Sequence, residues 1–311
     1  MALNTLTTAA TDLRAAAVLD QEINLLLFDM VAMRKVPGYV LDKGSVNGTL
    51  SSVKRVRFAG LDGYDAMASV AEGSSTSSTT ITDASADITV ARLALEYDVT
   101  DLLNLTGSAE DIGNPERLAK AMVGAAERGF NSLVVNVGDD WTTDAVDTAV
   151  AMTSDDAYDA AYQLELNSVP GPYYGTLAPR QHTHLRDSLR SEVGPAQYVE
   201  ATQQQGTETM GQGFQGRFLS IDWWNVSQVR TSGGKRLGWV HGQGGLGFAH
   251  GSPTIMPNAG TAVRKYGENQ QLFVEIARDA AGALTKVVGN FYVGVAILEQ
   301  ARGYGINTSS T

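Results

Sequence analysis

No cysteine occurs in the 311 residues, which excludes disulfides, thiol nucleophiles and thiolate metal sites. Basic charge is scarce: Lys and Arg total 23 against 34 Asp and Glu, a formal net charge of -11. The densest basic cluster is Lys54, Arg55 and Arg57. A protein that neutralises many phosphates needs a basic footprint, so contact with nucleic acid is expected to be weak or local. Acidity favours colloidal solubility and says nothing about an acidic substrate. Long apolar runs are missing as well. Leu25 to Phe28 is the longest dense apolar patch of the N-terminal segment and is far too short to cross a bilayer. The opening MALNTLTTAATDLR has neither the basic nor the apolar region of a signal peptide. Without secretion, the Asn-x-Ser/Thr matches at Asn47, Asn104, Asn225 and Asn307 are expected to be chance. No internal repeat is evident.

What the chain has in quantity is small residues. Glycine numbers 33, beside much Ala, Thr and Ser, a composition suited to β-structure with many turns and close backbone approaches. Hydrophobic residues make up 43%, enough for a sizeable core, and length alone predicts about two domains at ~150 residues each.

The clearest long helix is Asn114 to Asn136. Asn114 suits the N-cap, Pro115 the first turn, and Glu116 the positive end of the dipole. Leu118, Met122, Ala125 and Ala126 share one face at spacings of three and four. Gly124 and Gly129 weaken its interior. The apolar run Leu133 to Val137 fits either an extension of the helix or the start of a strand. A first helix is expected over Asp12 to Met33, ended by Pro37-Gly38. Another follows Ser154-Asp155-Asp156, with Ser154 as cap and Ala157, Ala160, Ala161 and Leu164 on one side. Thr183 to Leu189 reads as a short helix.

Residues 46 to 99 read as two long strands around a polar tip, with a turn at Asp62-Gly63 and a Ser/Thr tract reaching Thr80. Such a projection is marginal alone and needs a surface to lie on. Tyr173 to Leu177, Gln271 to Ala277 and Val287 to Leu298 are further strands, the last two joined by a turn over Asp279 to Gly282. Residues 194 to 217 look irregular. The Gly-rich stretch 231 to 260 is too long for a structureless loop, so it either hides strands or makes contacts outside the subunit.

Motifs for chemistry are weak. His182 and His184 share a face on a strand but not on a helix, and no third ligand stands at a metal-binding spacing. Gly242-Gln243-Gly244-Gly245-Leu246-Gly247 lacks the strand-before, helix-after context of a phosphate loop. Asp139-Asp140 and Asp155-Asp156 are adjacent pairs, whose side chains diverge, and are expected to cap helices or face solvent. No nucleophile elbow occurs. Of Trp223 and Trp224, one ring is expected in the core and the other at an interface. Lys54, Arg55 and Arg57 are expected either to pair with a neighbour's acidic surface or to form a solvated strand face.

The order of these parts resembles the major capsid proteins of tailed double-stranded DNA bacteriophages, the HK97-like fold. ADITVARLALEYDVTDLL at 86 to 103 is similar to the return arm of their extended loop, and NPERLAKAMVGAAERGFNSLVV to their spine helix. YYGTLAPRQHTHLRDSL at 173 to 189 resembles part of the axial domain, and the stretch from 272 to 310 the closing strands of the peripheral domain. The resemblance implies an α+β fold with an N-terminal arm and first helix at 1–45 and an extended loop at 46–99. A peripheral domain at 100–139 and 259–311 would hold the spine helix, and an axial domain would occupy 140–258. It implies hexamers and pentamers in an icosahedral shell around double-stranded DNA, with no enzymatic activity, no cofactor and no membrane. Lys54, Arg55, Arg57, Arg92, Trp223 and Trp224 become candidate inter-subunit contacts, and Leu118, Met122 and Ala126 the spine-helix core. A separate scaffolding protein or a processed start is implied, with a portal and a decoration protein as further partners. The tip, Ser74 to Thr80, has no lysine, so the covalent crosslink of some members is not carried over. The nearest alternative is an encapsulin-type compartment. A more distant one is a soluble β-rich hydrolase or sugar-binding protein using the glycine loop and histidines.

Overall fold

In the computed structural model, residues 36, 38–47, 51–59, 69–75, 83–100, 115–193, 214–252, 261–266 and 272–310 are described. The expected first helix, the Asp62-Gly63 turn, the tip beyond residue 75, the Asn114 cap and residues 194–213 of the stretch 194–217 expected to be irregular lie outside them; residues 214–217 of that stretch are in a strand. The order is β1 (Leu41–Ser45), β2 (Val53–Ala59), β3 (Asp83–Thr89), β4 (Ala91–Thr100), α1 (Pro115–Gly138), β5 (Asp144–Asp147), α2 (Ser154–Leu166) and β6 (Tyr173–Leu177). Then come α3 (Pro179–Val193), β7 (Phe214–Phe218), β8 (Ile221–Asn225), β9 (Thr231–Ser232), β10 (Lys235–Gly242) and β11 (Leu246–His250). The chain closes with β12 (Thr261–Tyr266), β13 (Leu272–Asp279), β14 (Leu284–Ile297) and β15 (Gly303–Ser309).

α1 takes in the ambiguous run Leu133 to Val137, because Val134 and Val135 fall on the buried side. Leu118 and Met122 are buried and Ala126 packs beside them. Farther along, Phe130 meets Phe248 edge-to-face at 5.7 Å. The helix lies on a six-stranded sheet ordered β1-β11-β14-β13-β12, with β4 also on β14. β14 holds this sheet together because it is long enough to serve several partners. One edge carries β13; the other takes β4 at Leu284 to Val293 and β11 at Val293 to Ile297.

A second, seven-stranded sheet runs β5-β15-β10-β6-β8-β7, with β9 on β10. Its two faces are both covered. α2 and α3 close one face through Ala157, Ala160, Leu164, Leu185 and Leu189. The end of α1 and the residues Val36, Tyr39 and Val40 close the other. Thr153, not Ser154, caps α2: its side chain accepts from the Asp156 N–H and the Asp156 carboxylate returns the bond. Ser154 instead bonds Ser188 of α3, 3.1 Å between hydroxyls. α3 is longer than the expected Thr183 to Leu189.

The two sheets draw on interleaved parts of the chain. β11 (246–250) belongs to the six-stranded sheet although it precedes residue 258, and β15 (303–309) belongs to the seven-stranded sheet although it follows residue 259. The projection also differs from two continuous strands. β2 and β3 pair as a separate two-stranded ribbon, and after Val90 the chain turns into β4 of the six-stranded sheet. The crossing is tight: a Cβ on Gly294 of β14 would lie 2.1 Å from the Thr89 carbonyl oxygen.

Candidate functional site

The features that suggested chemistry resolve into structure. The Gly-rich stretch hides β9, β10 and β11. Residues Gln243 to Gly245 form the turn by which the chain leaves one sheet for the other. Two of its N–H groups are engaged, Gln243 to the Pro170 carbonyl and Gly245 to the Gly242 carbonyl, and the Arg302 guanidinium donates to the Gln243 carbonyl. A phosphate cradle needs such groups directed outward. A groove of about 140 Å³ lies between α1 and the six-stranded sheet, lined by Leu93, Met122, Ala126, Leu272 and Phe291 among others, none of them titratable. No cluster of three His, Asp or Glu close enough to hold a metal ion occurs among the described residues. No helix among them is long and apolar enough to cross a membrane.

The histidines separate. His182 is buried on α3, where burial and then the nearby Arg186 push its pKa down to about 4. His184 is half-buried on the same helix. His250 is buried on β11, with the Asp42 carboxylate at 3.8 Å. His241 sits on β10 in an aromatic cluster where the two sheets meet. Its ring lies 4.9 Å from that of Tyr39, and Trp141 stacks on it at 6.4 Å. Nε2 donates to the Tyr39 carbonyl at 2.9 Å, and burial pushes the pKa down to about 4, so the ring is neutral. The Tyr39 hydroxyl is bonded to Thr176. These groups fasten Tyr39 to the seven-stranded sheet and offer no open face to a substrate.

Asp139 and Asp140 diverge, as neighbours should. Asp140 is exposed. Asp139 follows α1 with its side chain 2% exposed and its carboxylate 3.3 Å from Arg230 Nε. Burial outweighs that partner and pushes its pKa up to about 6. The ion pair joins the end of α1 to the loop between β8 and β9.

The candidate contact residues are divided by strand geometry. In the ribbon register Lys54 lies opposite Ile88 and Val56 opposite Ala86, a face that packs on Ala249 and Leu298. Lys54 Nζ reaches the Ser45 carbonyl at 3.4 Å. Arg55 and Arg57 share the other face, and both are exposed. Arg55 makes a two-pronged pair with Asp87 of its own subunit, at 2.8 Å on each branch. That pair holds the Asp87 carboxyl below the usual range. Arg92 donates from Nε to Asn290 at 2.7 Å.

The tryptophans correct the expectation of one interface ring. They are consecutive on β8 and point to opposite sheet faces. Since both faces are covered, Trp223 is 2% and Trp224 1% exposed, and neither ring reaches the subunit surface.

Two residues that sequence reasoning missed organise this region. One is Tyr39, at the arm junction. The other is Gln181, fully buried at the start of α3. Its Oε1 accepts from the Ala178 N–H, and its Nε2 donates to the Arg236 and Ile306 carbonyls and the Thr308 hydroxyl. Nothing in the local pattern marks it, because its partners Arg236, Ile306 and Thr308 are distant in sequence.

No family model matches the chain, and no curated relative does. Solved structures do. The capsid of Ralstonia phage GP4 aligns with a TM-score of 0.58 at 12% identity, covering 88% of this chain and 87% of that one. The SrpI encapsulin of Synechococcus elongatus PCC 7942 gives 0.57 at 12% identity, over 86% of this chain and 84% of that one. The capsid of Myoviridae phage XM1 gives 0.53 at 13% identity, over 89% and 92%. The chain therefore has the α+β, HK97-like fold of these capsid and encapsulin chains.

Proposed function

We propose that this protein is a major capsid protein, whose copies form the hexamers and pentamers of an icosahedral shell around viral double-stranded DNA. The observation that carries the reading is the fold shared with phage capsids over most of both chains. The acidic charge balance fits a shell that encloses DNA without a strong basic footprint. In this reading the ribbon of β2 and β3 lies over an adjacent subunit, the N-terminal arm reaches another, and the seven-stranded unit crowds the capsomer centre. Lys54, Arg55, Arg57 and Arg92 remain proposed contacts. Assembly takes place in the host cytoplasm and draws on a separate scaffolding protein, a portal and a decoration protein.

The encapsulin match supports one rival, a compartment that cages protein cargo. Negative-stain microscopy and native mass of the purified protein test the shared part: closed shells are expected, and a monomer or dimer under every assembly condition rejects it. Particles recovered from producing cells then separate the two readings. Nuclease-protected double-stranded DNA supports the capsid, and a co-purifying enzyme supports the compartment.

A further inference from the structure

Among the described residues the chain passes between the two sheets three times. It goes from α1 into β5 through Asp139 to Thr143, from β10 into β11 through Gln243 to Gly245, and from β14 into β15 through Leu298 to Arg302. The third passage is bonded to both of the others. Gln300 Oε1 accepts from the Thr142 N–H at 3.2 Å, and Nε2 donates to the Asp140 carbonyl at 3.3 Å. Arg302 Nη1 donates to the Gln243 carbonyl at 3.0 Å, and the Leu298 N–H to the Gly245 carbonyl at 2.8 Å. Arg302 is itself paired with Glu299.

Trp141, from the first passage, is wedged between the other two. A Cβ on Gly303 would lie 2.4 Å from its ring and one on Gly245 3.3 Å from it, while its face stacks on His241. The ring is buried, in a cluster that runs without a break from Trp224 and Trp239 on one sheet to Phe248 and Phe291 on the other.

A hinge gathers its rotation into a few residues that are free to turn. Here no passage can turn alone, because each is bonded to or packed against another, and a close-packed interior does not deform continuously. Motion between units is the default across small polar contacts and is suppressed across a large apolar one.

We propose that Trp141 is the pin, and Gln300 and Arg302 the clasp, of a joint that holds the two sheets at one angle. Its consequence for assembly rests on the shell reading. Head-to-tail contacts close into a ring only when each copy presents its two patches at the right rotation. A body of fixed angle meets that condition, and a loosened one meets it only part of the time.

Because the chain has no cysteine, Asp98→Cys on β4 and Ser232→Cys on β9 place one spin label on each sheet, both at exposed positions. Pulsed electron double resonance measures their separation in isolated subunits and in particles where labelled chains are diluted with unlabelled ones. One narrow peak is expected, at the same distance in both. Two peaks, or a peak that moves on assembly, overturn the proposal. Adding Gln300→Ala with Trp141→Leu removes clasp and pin together. The distribution should then broaden roughly twofold in the folded subunit, and electron microscopy should show open or irregular particles. A width equal to that of the wild-type body overturns the proposal. If this variant does not fold, Gln300→Ala alone, at an exposed side chain, replaces it, and an unchanged width there overturns the clasp. If wild-type protein forms no particles, the shell reading falls, and the distances in the isolated subunit still decide the joint.

Discussion

Gly138, the last residue of α1, lies directly against the indole of Trp239 on β10: a Cβ there would come within 2.5 Å of the ring. The helix on one sheet thus touches the core of the other at a point where only a hydrogen fits. Gly138→Ala is expected to destabilise the subunit by about 1–3 kcal/mol, the usual cost of overpacking a close contact. Gly124 is the opposite case, with nothing within 4 Å of an added Cβ. Gly124→Ala should stabilise by roughly 0.5–1 kcal/mol through helix propensity alone. At Gly129 the added atom would meet Leu93 Cδ1 at 2.9 Å, a side-chain end that can move, so its effect falls between. Urea unfolding midpoints check the order, and a Gly124→Ala variant less stable than wild type would refute it.

Gln181 joins α3, β10 and β15 from a fully buried position. Gln181→Leu keeps the volume but leaves the Ala178 N–H and two carbonyls without their side-chain partner. A loss of about 2–4 kcal/mol is expected, since each unsatisfied buried group costs about 1–3 kcal/mol. Equilibrium unfolding reads this directly, and an unchanged midpoint would remove Gln181 from its assigned role.

Acid sensitivity follows from two buried histidines and is opposed by one buried carboxyl. His182 and His241 have folded pKa values near 4, below their ordinary 6.5. Between those values the unfolded chain binds protons that the folded chain does not, so their contribution is lost as pH falls through that window. Asp139 opposes them. Its folded value near 6 lies above the ordinary 3.8, so the folded state holds the extra proton and stability declines as pH rises across that range. Two imidazoles outweigh one carboxyl, and wild-type protein is expected to lose stability from pH 7 to pH 5. His241→Gln should flatten that decline and Asp139→Asn should steepen it. Thermal melts across the range decide, and parallel pH profiles for wild type and both variants would reject the assignment.

Local signals in the sequence were readable wherever one element decided its own conformation. The face of α1 through Leu118 and Met122, the buried alanines of α2 and the limits of β6 all follow from periodicity and capping. What escaped depended on partners far along the chain. β15 lies beside β10 by pairing Gly303 to Ser309 with Lys235 to His241, which no local pattern announces. Trp223 and Trp224 could be placed on opposite faces from strand alternation, but not both in the core, because burial required knowing that α1, Val36, Tyr39 and Val40 cover the second face. Val90 ends the ribbon within an unbroken β-prone run, and only the pairing of β4 with β14 separates the two strands.

The ribbon gives the sharpest test of assembly against folding. Ile88 at its base is fully buried with Ala249 and Leu298, whereas Arg55, Arg57 and Asp87 on its outer face are exposed. Among the described strands β2 and β3 pair with each other alone, and a two-stranded ribbon is marginal in water without a surface to lie on. Replacing residues 60–82 by a two-residue Asn-Gly turn keeps both strands and the buried base, so the subunit should fold with a Tm close to wild type. If the outer ribbon grips a neighbour, the same variant should form no closed shells. Differential scanning calorimetry measures the first outcome and electron microscopy the second. Normal particles from the shortened protein would show that assembly does not use the outer ribbon, and a collapsed Tm would show that the segment belongs to the subunit's own core.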